Sequence, residues 1–184
     1  MKTGLLTGLV LSIFVLASCN ETQYQEEIKT VDYLLSRIDS AEKAHANIDT
    51  SGIADAGVSF KKKFTFVSSS FEQQNDTLNR DAALLISNYR DLKKPYANFV
   101  DEWMANAKEL EFSKKQLIDL RHDLEHNLLD TNFVTKMVVS EQKATEAVVF
   151  DTRRLERGRK AMVAKNDSLE PKIDSLITKI KSQE

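Results

Sequence analysis

Apolar residues recur every three or four positions along nearly the whole chain, the spacing that gathers them on one face of a helix. From Tyr24 to about Ile48 the series is Ile28, Val31, Leu35 and Ile38, and Thr22-x-x-Gln25 offers a capping box at its start. Asp49-Thr50-Ser51-Gly52, with Gly57 close behind, is the strongest turn signal. A second series of Phe60, Phe64, Val67, Phe71, Leu78, Leu85, Tyr89 and Leu92 keeps its phase across Pro95 into Tyr96, Phe99, Trp103 and Leu110. The β-prone stretch at 58–71 holds the same rhythm for several turns, which outweighs residue preference. The pattern predicts one long helix from about 57 to 110, kinked at Pro95 because Lys94 is a poor cap.

Ser113-x-x-Gln116 reads as a new capping box, and Phe112 stands where a hydrophobic staple would meet Leu117. A restart is expected there, followed by a short third helix with Leu117, Leu120, Leu124 and Leu128 on one face. Asp130-Thr131 is a capping candidate for a last helix running to about Lys181 through Phe133, Met137, Ala144, Val148, Leu155, Met162, Leu169, Ile173, Leu176 and Ile180. Gly158 and Asp151 fall in its seam; the glycine is expected where a neighbouring backbone comes close, and Pro171 is expected to interrupt the helix softly. The expected fold is all-α: an elongated antiparallel helical bundle with coiled-coil character, two long helices plus two shorter ones, in a single domain over 24–184.

Composition agrees. Five glycines and two prolines in 184 residues, with 29% charged side chains, suit long helices. The net charge of −2 predicts no general affinity for nucleic acid.

The N-terminus reads as an address. Lys2 supplies a positive start, Leu5 to Leu16 an apolar run too short to span a bilayer comfortably, and Leu16-Ala17-Ser18-Cys19 follows directly. This tetrapeptide resembles the bacterial lipobox, which implies removal of residues 1–18, a lipid on Cys19 and a short tether over 19–23. Cys19 is the only cysteine, so no disulfide is available and packing alone must hold the fold. Asn20 rather than Asp follows the anchor, which in enteric-type bacteria permits transfer to the outer membrane. The lipobox, the absence of later cysteines and the stretch at 108–129 together resemble the small helical lipoproteins of Bacteroidota. That resemblance implies a lipid-anchored envelope location, facing the periplasm or the exterior, and no catalytic residues. Asp39-Ser40-Ala41, Asp76-Thr77-Leu78, Asp167-Ser168-Leu169 and Asp174-Ser175-Leu176 resemble the O-glycosylation acceptors of the same group.

Helix lengths bear on how such an anchor would work. A first helix of ~38 Å followed by a descending helix of ~80 Å would carry the chain past the membrane, so a rod lying flat and tethered near its middle is expected.

Three constellations could carry chemistry. His122 and His126 spell H-x-x-E-H on the polar face opposite the leucine stripe, with Asp119 one turn earlier, the donor types of a zinc hydrolase. Those enzymes need a third, distant ligand and a large cleft, and neither is legible, so a solvated face is expected. His45 is expected as a favourable imidazole near a helix C-terminus. Arg153, Arg154, Arg157 and Lys160 form a basic run on the last helix that could meet phosphate, lipopolysaccharide or an acidic partner; pairing with carboxylates of a neighbouring helix is the plainer expectation. Tyr96, Phe99, Trp103, Phe112 and Phe133 are expected to face inward as a thick aromatic core. No Ser-His-Asp arrangement, glycine-rich phosphate loop or pair of catalytic carboxylates is legible, so neither an enzyme nor a cofactor is expected. The expectation is an envelope lipoprotein that contacts the membrane through its lipid and an envelope protein as partner, with self-association left open by a seam that one chain covers incompletely. The alternative is a periplasmic helical chaperone, which would expose an aromatic stripe.

Overall fold

The computed structural model describes residues 22–73 and 80–182, and all of its regular structure is helical. The helices are α1 (Gln25–Ala46), α2 (Ile53–Gln73), α3 (Arg80–Arg90), α4 (Lys93–Glu125) and α5 (Thr131–Lys181). At 51 residues, α5 is the spine; with 1.5 Å per residue it is about 77 Å long. The chain is an antiparallel helical bundle, but its rods are divided differently from the sequence pattern.

The turn at 49–52 does not reverse the chain. Asp49 Oδ1 accepts the Ser51 amide (2.9 Å), and Gly52 adopts φ 71°, a left-handed conformation that a side chain would strain. α2 then continues in the direction of α1. The contacts along α5 show this: Tyr24 lies at Leu129 and Thr131, Asp49 pairs with Arg159 (2.7 Å), and Lys63 pairs with Glu170 (2.6 Å) and Asp174 (2.8 Å). α3 and α4 run back. Asp91 meets Lys165 (2.8 Å), Asn106 meets Thr152 (2.9 Å), and Thr22 donates to the Leu124 carbonyl (2.7 Å). The molecule is thus three rods side by side: α1 with α2 going up, α3 with α4 coming down, and α5 going up again. The expected overhang of ~80 Å disappears, because the descending rod ends level with the start of α1.

Three helix boundaries need correction. Pro95 marks a break and not a kink: α3 ends at Arg90, and the proline occupies the third position of α4. There its missing N–H is harmless, since first-turn amides lack an intrahelical acceptor anyway. The apolar phase survives because Tyr89 and Leu92, on either side of the break, are both buried. The restart at Ser113 does not occur. α4 runs unbroken from Lys93, Ser113 is itself buried within the rhythm Leu110, Ser113, Leu117, Leu120, Leu124, and Phe112 is 55% exposed and no staple. Leu128, expected on the same stripe, lies past the end of α4 and is 63% exposed. At the start of α1 the capping box is replaced by a longer-range tie: Thr22 Oγ1 accepts from the Tyr24 amide (3.2 Å) while binding the far end of α4.

Within α5, Asp130 caps as expected, its carboxylate accepting the Asn132 amide (2.9 Å). Pro171 is exposed inside a helix that does not end there. Gly158 is not at a close approach: a Cβ built on it meets nothing within 4 Å. Gly57 is the glycine that faces a neighbour, with Tyr96 at 3.6 Å from such a Cβ.

Two cores follow from this layout. The near half, at the N-terminal end of α1, packs Val31, Leu34 and Ile38 against Leu110, Leu117, Leu124, Val134 and Val148. The far half packs Phe60, Val67, Tyr89, Phe99, Leu155, Met162 and Ile173, with Phe64, Tyr96 and Trp103 partly buried on it. Both cores lie within the described residues. Among the described residues no helix is long and apolar enough to cross a membrane.

Candidate functional site

His122 and His126 lie at the C-terminal end of α4, exposed and stacked at 4.2 Å between ring centroids. Leu124 between them points into the near core, which fixes the histidines outward. His126 Nδ1 donates to the His122 carbonyl (2.8 Å), capping the helix end, and Asp119 is held by Lys115 one turn earlier. Among the described residues no group of three or more His, Cys, Asp or Glu side chains is placed to hold a metal ion. What the pair does locally is close a helix terminus, where a ring N–H suits the unpaired carbonyls.

His45 departs from expectation. It is buried at 6% exposure, stacked on Trp103 at 4.8 Å with 16° between the rings, and its Nε2–H donates to the Trp103 carbonyl (3.0 Å). It joins the two halves of the bundle instead of decorating a helix end. Beside it sits a second polar tie, in which the Thr152 hydroxyl donates to Asn106 Oδ1 and Asn106 occupies a core position of α4. Polar groups at such positions fix register.

The basic run on α5 divides. Arg154 is paired with Glu102 of α4 (3.1 Å) and with Asp151, and Lys160 with Glu156 on its own helix. The hydrogen bonds from Asp151, then Glu102, raise the Arg154 guanidinium further, while the Lys160 ammonium holds the Glu156 carboxyl below its ordinary value. Arg153 and Arg157 have no carboxylate partner among the described residues. Arg153 and Arg37 line a groove of about 300 Å³ between α1 and α5, with Ser36 and Ser40 beside them.

The aromatic residues also divide. Tyr96, Phe99 and Trp103 belong to the far core, as expected, but Phe112 and Phe133 are 55% and 58% exposed on the near half and join no core. Of the glycosylation-like triplets, Ser40, Ser168 and Ser175 are exposed, while Asp76-Thr77-Leu78 lies outside the described residues. Cys19 and the apolar run before it also lie outside them.

One concavity was not foreseen. On the outer side of the far half, α2 and the first turns of α4 enclose a groove of about 690 Å³, within the size range of small-molecule sites. Its walls include Ala54, Gly57, Val58 and Phe64 from α2 and Tyr96 and Ala97 from α4, with Lys61 and Lys93 on opposite sides. Among the described residues no acidic side chain lines it. Small residues at 54, 57 and 97 create the depression, and Phe60 beneath it stacks on Phe64 (5.7 Å) and tilts against Tyr96 (5.5 Å). The sequence carried one signal for it: Ala54, Gly57 and Val58 add an apolar strip beside the core positions Ile53, Phe60 and Val67, wider than one packed face requires.

Comparison with known protein families, with curated proteins and with solved structures finds no match for this chain.

Proposed function

We propose that this protein is a membrane-anchored lipoprotein of the bacterial cell envelope with a structural or protein-interaction role, its lipid carried by Cys19. The observation that carries this reading is Leu16-Ala17-Ser18-Cys19 directly after an apolar run of signal-peptide length. Several acyl chains, at about 0.8 kcal/mol per buried CH₂, hold a small domain on a membrane essentially permanently. The bundle supports the reading through the position of Thr22. Thr22, three residues after Cys19, is bound to the end of α4 at one tip of the rod. An anchor there would let the rod stand away from the membrane, with the far half up to about 77 Å out.

Changing Cys19→Ala should move the protein from the membrane fraction to the soluble one. Retention of that variant in membranes through a high-salt wash would overturn the anchoring role. Arg153 and Arg157 support the interaction role, since among the described residues they lack the carboxylate partners that Arg154, Arg159 and Lys160 have. Affinity capture from envelope membranes should enrich an acidic envelope protein, and R153E/R157E should lose it. Equal capture by both chains would remove this surface from the proposal.

A further inference from the structure

The geometry points to the groove between α2 and α4 as a binding site for an anionic amphiphile, a single acyl chain ending in a carboxylate or phosphate. The first argument is charge. Lysines between helices in this bundle are matched by carboxylates: Lys63 by Glu170 and Asp174, Lys114 by Asp39 and Glu42, Lys165 by Asp91. Lys61 and Lys93 line the groove from two different helices with no carboxylate partner among the described residues. The antiparallel register that sets Gly57 and Phe60 beside Tyr96 brings Lys93, one turn earlier on α4, level with Lys61 on α2. Two ammonium groups facing one apolar cleft, with no acid among the described residues of its lining, complement an anionic head.

The second argument is shape. The lining residues on α2 extend from Ala54 to Ser69, roughly 22 Å of helix. Lys61 stands near the middle of that length, so a head at the lysines leaves roughly 10–12 Å of groove on either side, room for a short acyl chain such as that of decanoate. Running toward Ala54, it would cover Val58, at 70% exposure, and the partly exposed ring of Tyr96. A folded protein partner would need a flatter and larger surface.

The test is displacement of an environment-sensitive fluorescent fatty acid from residues 20–184, using ligands below their micelle concentrations. Decanoate or lysophosphatidylglycerol should displace it saturably, and which of the two is tighter separates a carboxylate head from a phosphate head. The neutral decanol should compete far more weakly. K61E/K93E should weaken the anionic ligands tenfold or more while leaving decanol unchanged. A97W, at an exposed position that leaves both cores intact, should abolish binding of all three, with circular dichroism confirming the fold. Three results would overturn the proposal: no saturable binding; equal affinity for decanol and decanoate with no effect of charge reversal; or displacement by an unfolded polypeptide client and not by amphiphiles, which would make the groove a chaperone surface.

Discussion

The near and far halves of this rod solve the same packing problem with different materials. In the near half three uninterrupted helices pack aliphatic side chains, and of its buried residues only Tyr24 carries a ring. In the far half the descending rod is broken at Asp91 and Leu92, and rings fill the space: Phe60 tilts against Tyr89 at 4.8 Å and against Tyr96 at 5.5 Å. Continuous helices keep a constant separation that Leu and Val can bridge, whereas a break changes the separation and needs larger side chains. The groove lies in this half too, where Ala54, Gly57 and Ala97 are small. Stiffness and a ligand-sized cleft are thus placed at opposite ends of one spine, with His45 on Trp103 and Thr152 on Asn106 at the joint.

The most forceful way to break this comparison is to empty one core at a time. Phe60→Ala should destabilise the protein by about 3–5 kcal/mol and Leu117→Ala by about 2–5 kcal/mol, as buried rings and leucines do. Native-state hydrogen exchange gives the sharper readout. Phe60→Ala should deprotect α2 and α3 while α1 stays protected, and Leu117→Ala should deprotect α1 and the lower turns of α4. A uniform loss in both variants would show one cooperative unit with no distinction between halves.

A smaller effect is expected at Glu141, which occupies a seam position of the near half between Val138 and Thr145. One of its carboxylate oxygens is buried without a partner, and burial pushes its pKa above the ordinary carboxylate value. A carboxylate whose folded-state pKa is raised holds its proton more tightly when folded, so its ionised form opposes folding. The penalty is absent below the unfolded carboxylate range, grows as pH rises through the folded value, and is complete at neutral pH. Glu141→Gln should therefore raise the melting temperature at pH 7, and the gain should shrink toward about pH 3. A gain independent of pH would trace to something other than ionisation.

The smallest change expected is at Gly158. It sits inside α5 with open space where a Cβ would be, so Gly158→Ala should stabilise by about 0.5–1 kcal/mol in a denaturant titration. A loss of stability would restore the close approach that the seam position suggested.

These contrasts also mark what could be read from the chain alone. Helix content, the long α5, its Asp130 cap and the outward face of His122 and His126 are local or periodic properties, and periodicity exposes them. The fate of Pro95 was not readable, because an apolar phase that stays in register looks the same in a kinked helix and in two helices joined by a buried Leu92. Ser113 mimicked a cap because a serine before an x-x-Gln spacing has the same letters whether it ends a helix or lies in its seam. The groove was least legible of all. Its two walls are 36 residues apart at Gly57 and Lys93, and each alone is an ordinary amphipathic surface. What the sequence determined by itself is the helical period, the turn chemistry at Asp49–Gly52 and the composition of each face, since these depend on neighbours within a few residues. Only the tertiary structure decided that α2 continues α1, that the aliphatic and aromatic residues segregate into two cores, and that Lys61 and Lys93 meet across one cleft. Those outcomes depend on which faces bury the most apolar surface together, a property of all three rods at once.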